Sequence, residues 1–158
     1  MDKDIEFMTR AIELAKHAGE IGEIPVGALI VDKGGKIISE AYNLRENSQN
    51  AIAHAEILAI RDACSALKSW RLGGCTLYVT LEPCPMCAGA IVNSRIDRVV
   101  WGADDMLAGC CKSVINLNSY PFNHSFSTIG GVCGEECKKL LTDFFKSKRK
   151  NNLKERHT

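Results

Sequence analysis

No stretch of this chain approaches the roughly eighteen uninterrupted apolar residues of a membrane span. There is no internal repeat, and no low-complexity segment apart from a basic tail. The opening Met1-Asp2-Lys3-Asp4 has neither a basic n-region nor an apolar h-region, so no secretory leader is expected. Net charge is almost absent too: +1 over the whole chain, which by itself names no polyanionic partner. Membrane-embedded, repeat-built and secreted classes are thereby set aside, and a cytoplasmic protein with reduced thiols is expected. In that compartment eight cysteines are not a disulfide framework. A close C-x-x-C pair reads instead as metal-binding or catalytic.

What is present describes one ordinary soluble domain. The length is 158 residues, with 46% hydrophobic and 25% charged content. The domain is expected over 1–150, with 151–158 as a disordered basic tail. Charge is distributed unevenly. From Lys138 to Thr158 there are eight basic residues against Asp143 and Glu155, a local charge of +6 that leaves −5 for the remainder. Such a tail either meets phosphates or is a solvated helix end whose cations suit the negative end of the dipole.

Apolar periodicity predicts alternating elements. Lys3–Ile21 is an amphipathic helix on Phe7, Ala11, Leu14, Ala15 and Ala18. Pro25–Val31 is an apolar strand, turned by Asp32–Lys36 into Ile37–Tyr42. A polar loop over 43–50 leads to a second helix, Ala53–Leu67. Thr76–Thr80 and Arg98–Gly102 are further strands, with a helix from Cys84 to Ser94 between them. Val114–Leu117 reads as a helical turn, Ser125–Val132 as a fifth strand, and Gly134–Lys150 as a terminal helix. The alternation predicts a three-layer α/β/α sandwich around one mixed five-stranded sheet. Active sites of such sheets lie at strand ends and helix starts.

Two such places carry chemistry. His54-Ala55-Glu56 opens the second helix, and Pro83-Cys84-Pro85-Met86-Cys87 opens the third. One imidazole and two thiols supply three of the four ligands of a tetrahedral Zn²⁺ and leave one position for water. Zinc lowers the pKa of that water, so a nucleophile exists at working pH. Glu56, two residues from the imidazole, is free to move protons. It can carry one from the water to a ring nitrogen and then to a leaving amine. A structural zinc site would need a fourth protein ligand, from His124 or another cysteine.

The pattern H-x-E…P-C-x-x-C is that of zinc nucleobase deaminases, and the likeness extends well beyond it. Ala53–Glu56, Thr76–Ile91 and Arg98–Ala103 resemble the bacterial tRNA-specific adenosine deaminases. So do Ile24–Ala28, Asn43–Glu46, Phe122–His124 and Leu140–Lys150. The resemblance runs from about Met8 to Lys150 and implies a cytidine deaminase-like fold. It also implies one Zn²⁺ per subunit, a homodimer with the site near the interface, and hydrolysis of adenosine to inosine at the first anticodon position of a tRNA, typically an arginine tRNA. It assigns His54, Cys84 and Cys87 to the metal and Glu56 to proton transfer. Asn43, Ala55, Leu81, Glu82, Asp105 and His124 would surround the flipped base. Asp104 and Cys110-Cys111 depart from the family pattern in the adjoining loop. Lys146, Lys148, Arg149 and Lys150, beside Phe144 and Phe145, are candidates for the anticodon stem-loop.

Two rivals share the metal residues: a deaminase of free guanine, cytosine or a nucleoside, and an inactive RNA-binding module. The basic C-terminal helix speaks against the first and Glu56 against the second. Cys110, Cys111, Cys133 and Cys137 read either as a second metal site or as small buried hydrophobes. His17 is expected to be structural, His157 disordered, and Trp70 and Trp101 core or interface aromatics.

Overall fold

In the computed structural model the described residues are 2–156. Five strands form one mixed sheet in the order β2-β1-β3-β4-β5. Strand β1 (Gly27–Val31) lies antiparallel to both β2 (Ile37–Tyr42) and β3 (Thr76–Leu81). Beyond β3 the sheet turns parallel, through β4 (Arg98–Ala103) to β5 (Ser127–Ile129). A parallel neighbour needs a crossover, and α4 (Pro85–Ser94) supplies it between β3 and β4. Helices α1 (Asp2–Glu20) and α5 (Gly134–Arg156) cover one face. Helix α3 (Ala55–Leu67) and α4 cover the other, and the four-residue α2 (Arg45–Ser48) sits at one end.

Strand periodicity divides the core in two. Ala28, Ile30, Leu77, Val79, Val99 and Trp101 point towards α3 and α4, while Leu29, Val31, Tyr78 and Val100 point towards α1 and α5. A sheet covered on both faces needs strands without a polar side, and all five residues of β1 are buried. Gly27 is required by close approach, since a Cβ there would lie 2.1 Å from the carbonyl oxygen of Ala11 in α1. A network of Asp4, Tyr78 and Arg98 ties α1 to the sheet, with Tyr78 Oη donating to Asp4 at 2.6 Å and Arg98 Nη2 at 2.6 Å.

The expected three-layer architecture is the one observed, with shifts at its edges. The loop over 43–50 contains α2, whose N-cap Leu44 offers no side-chain cap. His54 and Cys84 are N-caps in extended conformation, one residue outside the helices expected to contain them. The helical turn falls at Leu117–Ser119. Helix α5 does not stop at Lys150, because Asn151–Arg156 holds neither Gly nor Pro and the helix runs on through it. His157 lies outside the described residues. Among the described residues no helix is long and apolar enough to cross a membrane.

Candidate active site and metal centre

Two helix N-termini meet at the same end of the sheet. Strand β3 delivers Glu82 and Pro83 to the start of α4, and α3 opens alongside. Pro85 takes the first helical position, where its missing N–H costs nothing. The ligating atoms of His54, Cys84 and Cys87 consequently lie within 4.8 Å of one another, and each sulphur is 3.6 Å from His54 Nδ1. The positive ends of two helix dipoles favour anionic sulphur here, against the cost of burial.

The thiols share a proton unequally. Cys84 is held down at about 4, first by the hydrogen bond from Cys87 and then, against the cost of burial, by His54. Cys87 is pushed far upward by donating that bond and by burial. The same contact with Cys84 raises His54. A divalent cation would replace the shared proton and bind both thiolates and a neutral imidazole. The donor set therefore fits zinc, with three protein ligands and one open position.

Glu56 belongs to the same cluster without joining the ligands. It is 5% exposed, and burial pushes its carboxyl up to about 7. A group poised there can both take and return a proton near neutrality. The adjoining cavity, about 190 Å³, is lined by Ile24, Val26, Asn43, Arg45 and Ala55, and by Leu81, Glu82, Asp105 and Ala108 around the metal residues. Asn43 Oδ1 is buried with no hydrogen-bond partner. A buried acceptor without a partner is costly, and Asn43 is among the residues that line the cavity.

Glu82 works through its carboxylate on the protein itself. It accepts from the backbone N–H groups of Asp105, Cys111, Lys112 and Ser113 and from the Ser113 hydroxyl. Burial works to raise its pKa, yet those bonds outweigh it and hold the group ionised. Gly109 is needed against it, since a Cβ would fall 2.4 Å from the carboxyl carbon. Asp105 in turn closes the loop by accepting from Leu107 N and Ala108 N. The sequence marks backbone groups around Leu81 and Glu82 for the pocket, and both residues line the cavity; the Glu82 side chain in addition holds the loop beside it.

His124 is not in the cavity. Its Nε2 lies 2.7 Å from the Ile96 carbonyl oxygen, at the start of β4, whereas the cavity lies beyond the end of that strand. The reason is topological: β5 runs parallel to β4, so the segment leading into β5 sits at the opposite end of the sheet. Lys148 lines a second cavity next to the first, about 140 Å³, together with Ile24, Asn43, Arg45, Phe144 and Phe145. Its Nζ lies 5.5 Å from the Phe144 ring centroid. Lys146, Arg149 and Lys150 follow on the exposed length of α5.

Two residues at the site are given no role by sequence reasoning, although Arg45 lies in the Asn43–Glu46 segment that carries the resemblance. Arg45 lines both cavities, and Glu23 is buried beneath the segment that carries it. An exposed-looking arginine in a polar loop and a lone glutamate between glycine and isoleucine look like ordinary surface residues. Among the described residues, Cys110, Cys111, Cys133 and Cys137 join no cluster of metal-ligating groups. Burial raises Cys111 and Cys137 to about 12, as suits small apolar fillers. Trp101 is core, its Nε1 donating to Asp104, but Trp70 is 56% exposed, stacked against Arg71. His17 packs edge-on to Tyr42.

Comparison with known proteins is consistent with this geometry. The family model described as the cytidine and deoxycytidylate deaminase zinc-binding region matches residues 1–103. The tRNA-specific adenosine deaminase of Bacillus subtilis is 52% identical over 151 residues, which is 95% of this chain and 93% of that one. That of Haemophilus influenzae is 46% identical, covering 92% and 85%. A solved structure from a study of A-to-I editing by tRNA:A34 deaminases at the wobble position superposes with a TM-score of 0.83. It is 41% identical and covers 86% of this chain and 99% of its own.

Proposed function

This chain belongs to the cytidine and deoxycytidylate deaminase family, on the side of the tRNA-specific adenosine deaminases, and from that premise we propose that it converts adenosine to inosine at the wobble position of a tRNA. The observation that carries the chemistry is the meeting of His54, Cys84 and Cys87 within 4.8 Å, with Glu56 walled into the same cavity. The cavity is small beside the roughly 300–1,000 Å³ of ordinary ligand clefts. That suits one extruded base better than a larger free ligand. An anticodon loop offers its bases already unpaired.

His54, Cys84 and Cys87 hold the zinc. When bound, zinc supplies the nucleophile by lowering the pKa of a water. Glu56 would take a proton from the attacking water and deliver it to N1 of the adenine ring as the water oxygen bonds to C6. It would then carry the proton of the new C6 hydroxyl to the 6-amino group, so that the C–N bond breaks, ammonia leaves and the C6 carbonyl of inosine forms. Asn43 is the residue to fix the base, since its Oδ1 needs a donor and an amide is the natural partner of an adenine edge. Ala55, Leu81 and Asp105 close the pocket around it.

The finer reading concerns partners. Lys146, Lys148, Arg149 and Lys150 track the anticodon stem-loop, supported by the Phe144–Lys148 pair beside the second cavity. A homodimer is part of the reading: Met106 and Leu107, next to Asp105, are 73% and 93% exposed and present apolar surface for a second copy. A cytoplasmic location with reduced thiols accompanies it, and an arginine tRNA is the first RNA to try. The test is a substrate panel: the anticodon stem-loop with wobble adenosine against free adenosine, guanine and cytosine. Turnover of the stem-loop alone is expected. Turnover of a free base with the RNA untouched would give the site to the rival small-molecule deaminase.

A further inference from the structure

Glu23 is fully buried and takes no part in the metal cluster. Its Oε1 accepts from Glu46 N at 3.0 Å, and its Oε2 from Asn47 N at 2.9 Å and Asn47 Nδ2 at 2.8 Å. Asn47 Nδ2 also donates to the Ile21 carbonyl at 3.1 Å, which ties the pair to the turn after α1. These N–H groups belong to the first turn of α2, whose own N-cap, Leu44, offers no side-chain cap. A capping carboxylate normally comes from the residue just before the helix. Here it reaches in from more than twenty positions away.

What α2 carries explains the arrangement. Residues 45–50 are all exposed, so almost no packing fixes their course. Yet Asn43, just before them, lines both cavities and holds a buried acceptor without a partner, and Arg45 lines both cavities as well. Ordering a polar segment at the moment of binding subtracts from affinity. Ordering it in advance removes that cost. Burial works to raise the Glu23 carboxyl, but the bonds from Asn47 and Glu46 outweigh it, so the latch is ionic and each bond charge-assisted.

We propose that Glu23 is a positioning residue: it caps α2 across the chain and so holds Asn43 and Arg45 in one arrangement towards the RNA. The inference rests on the tRNA deaminase reading above and adds a residue to it that touches neither base nor metal. Backbone bonds from Asn43 N to Val26 O and from Leu44 N to Ala53 O remain when the latch is cut. The segment therefore loosens while the domain stays folded.

Glu23→Gln keeps the shape and turns an amide NH₂ towards donors. Steady-state kinetics on the anticodon stem-loop should show KM raised about tenfold, with kcat within about threefold of the parent, the pattern of lost uniform binding. Zinc content should stay at the parent value. Tyr78→Phe, which removes the hydroxyl from the remote Asp4–Tyr78–Arg98 network, is the comparison: it should lower Tm and leave KM alone. A Glu23→Gln protein with parental KM, or one whose KM shifts no more than that of Tyr78→Phe, overturns the inference. If Glu23→Gln does not fold, Asn47→Ala must raise KM in the same direction, and an unchanged KM there overturns it equally. The parent run alongside separates the two levels: no inosine from the parent defeats the functional reading and this inference with it. Inosine from the parent with KM unmoved in the variants defeats the inference alone.

Discussion

His54 Nδ1 and Cys84 Sγ lie 3.6 Å apart although thirty positions of chain separate them. Both are N-caps of helices that start at one end of the sheet, so the metal cluster follows from where the strands stop. A site assembled this way depends on every ligand. Cys87→Ala is expected to lose bound zinc in metal analysis, and to lose activity with it, because two protein ligands and a long open face hold the ion poorly. Full zinc retention would take Cys87 out of the ligand set.

Glu56 lines the same cavity but is not among the grouped ligand atoms, and the proposed reaction gives it proton transfer. Glu56→Ala should retain zinc at the parent level while turnover falls by at least about 10²–10⁴, the usual worth of a positioned acid–base group. Activity within about tenfold of the parent would remove Glu56 from proton transfer.

The loop over 104–113 is held by one buried carboxylate. Glu82→Gln should accelerate amide hydrogen exchange at Asp105 and at Cys111–Ser113, and cost about 1–3 kcal/mol in chemical denaturation, since several buried donors lose a charged acceptor at once. Exchange unchanged across that loop would show that the carboxylate does not fix it.

Asp4 gives the stability a pH signature. The hydrogen bond from Arg98 holds its carboxyl below the ordinary carboxylate value, against burial, with help from Tyr78. A group depressed in the folded state stabilises fully above its unfolded pKa, near about 3.9, and loses that contribution as pH falls through the folded value. Unfolding free energies from urea titration of the parent and Asp4→Asn should therefore differ by about 1–3 kcal/mol near neutrality and converge below about pH 3. A difference that persists undiminished in acid would contradict this.

Helix α5 brings charge to the second cavity. Replacing Lys146, Lys148, Arg149 and Lys150 with Gln should weaken stem-loop binding and flatten its dependence on salt, by roughly 0.7 in the log–log slope for each single-strand phosphate that is no longer neutralised. An unchanged slope would leave these residues as a solvated helix end.

Much of the fold is readable in the chain because it is local. The apolar run of β1 and the helical spacing of α1 and α3 predict elements to within a residue or two. The paired motifs at His54–Glu56 and Cys84–Cys87 bring their own chemistry with them. Long-range pairing of unremarkable residues is what the sequence hides. Nothing around Glu23 announces that its carboxylate will cap a helix at residue 46, because the partners are backbone N–H groups and leave no pattern. The same holds for the Glu82 side chain, whose acceptors are spent on the N–H groups of a loop more than twenty positions on. His124 shows the converse. Its position near the family's pattern suggests the base pocket, but the parallel run of β5 beside β4 carries it to the opposite end of the sheet.

The most direct measurement of wobble deamination is site-resolved inosine in an anticodon stem-loop with adenosine at the wobble position and a second adenosine in the loop. The zinc-loaded protein and its Glu56→Ala variant would be compared by nuclease mapping and ammonia release. Inosine is expected at the wobble position alone, with one ammonia released for each, and neither product with the variant. Inosine at both adenosines, or equal yields from the two proteins, would contradict a wobble-specific deaminase driven by Glu56.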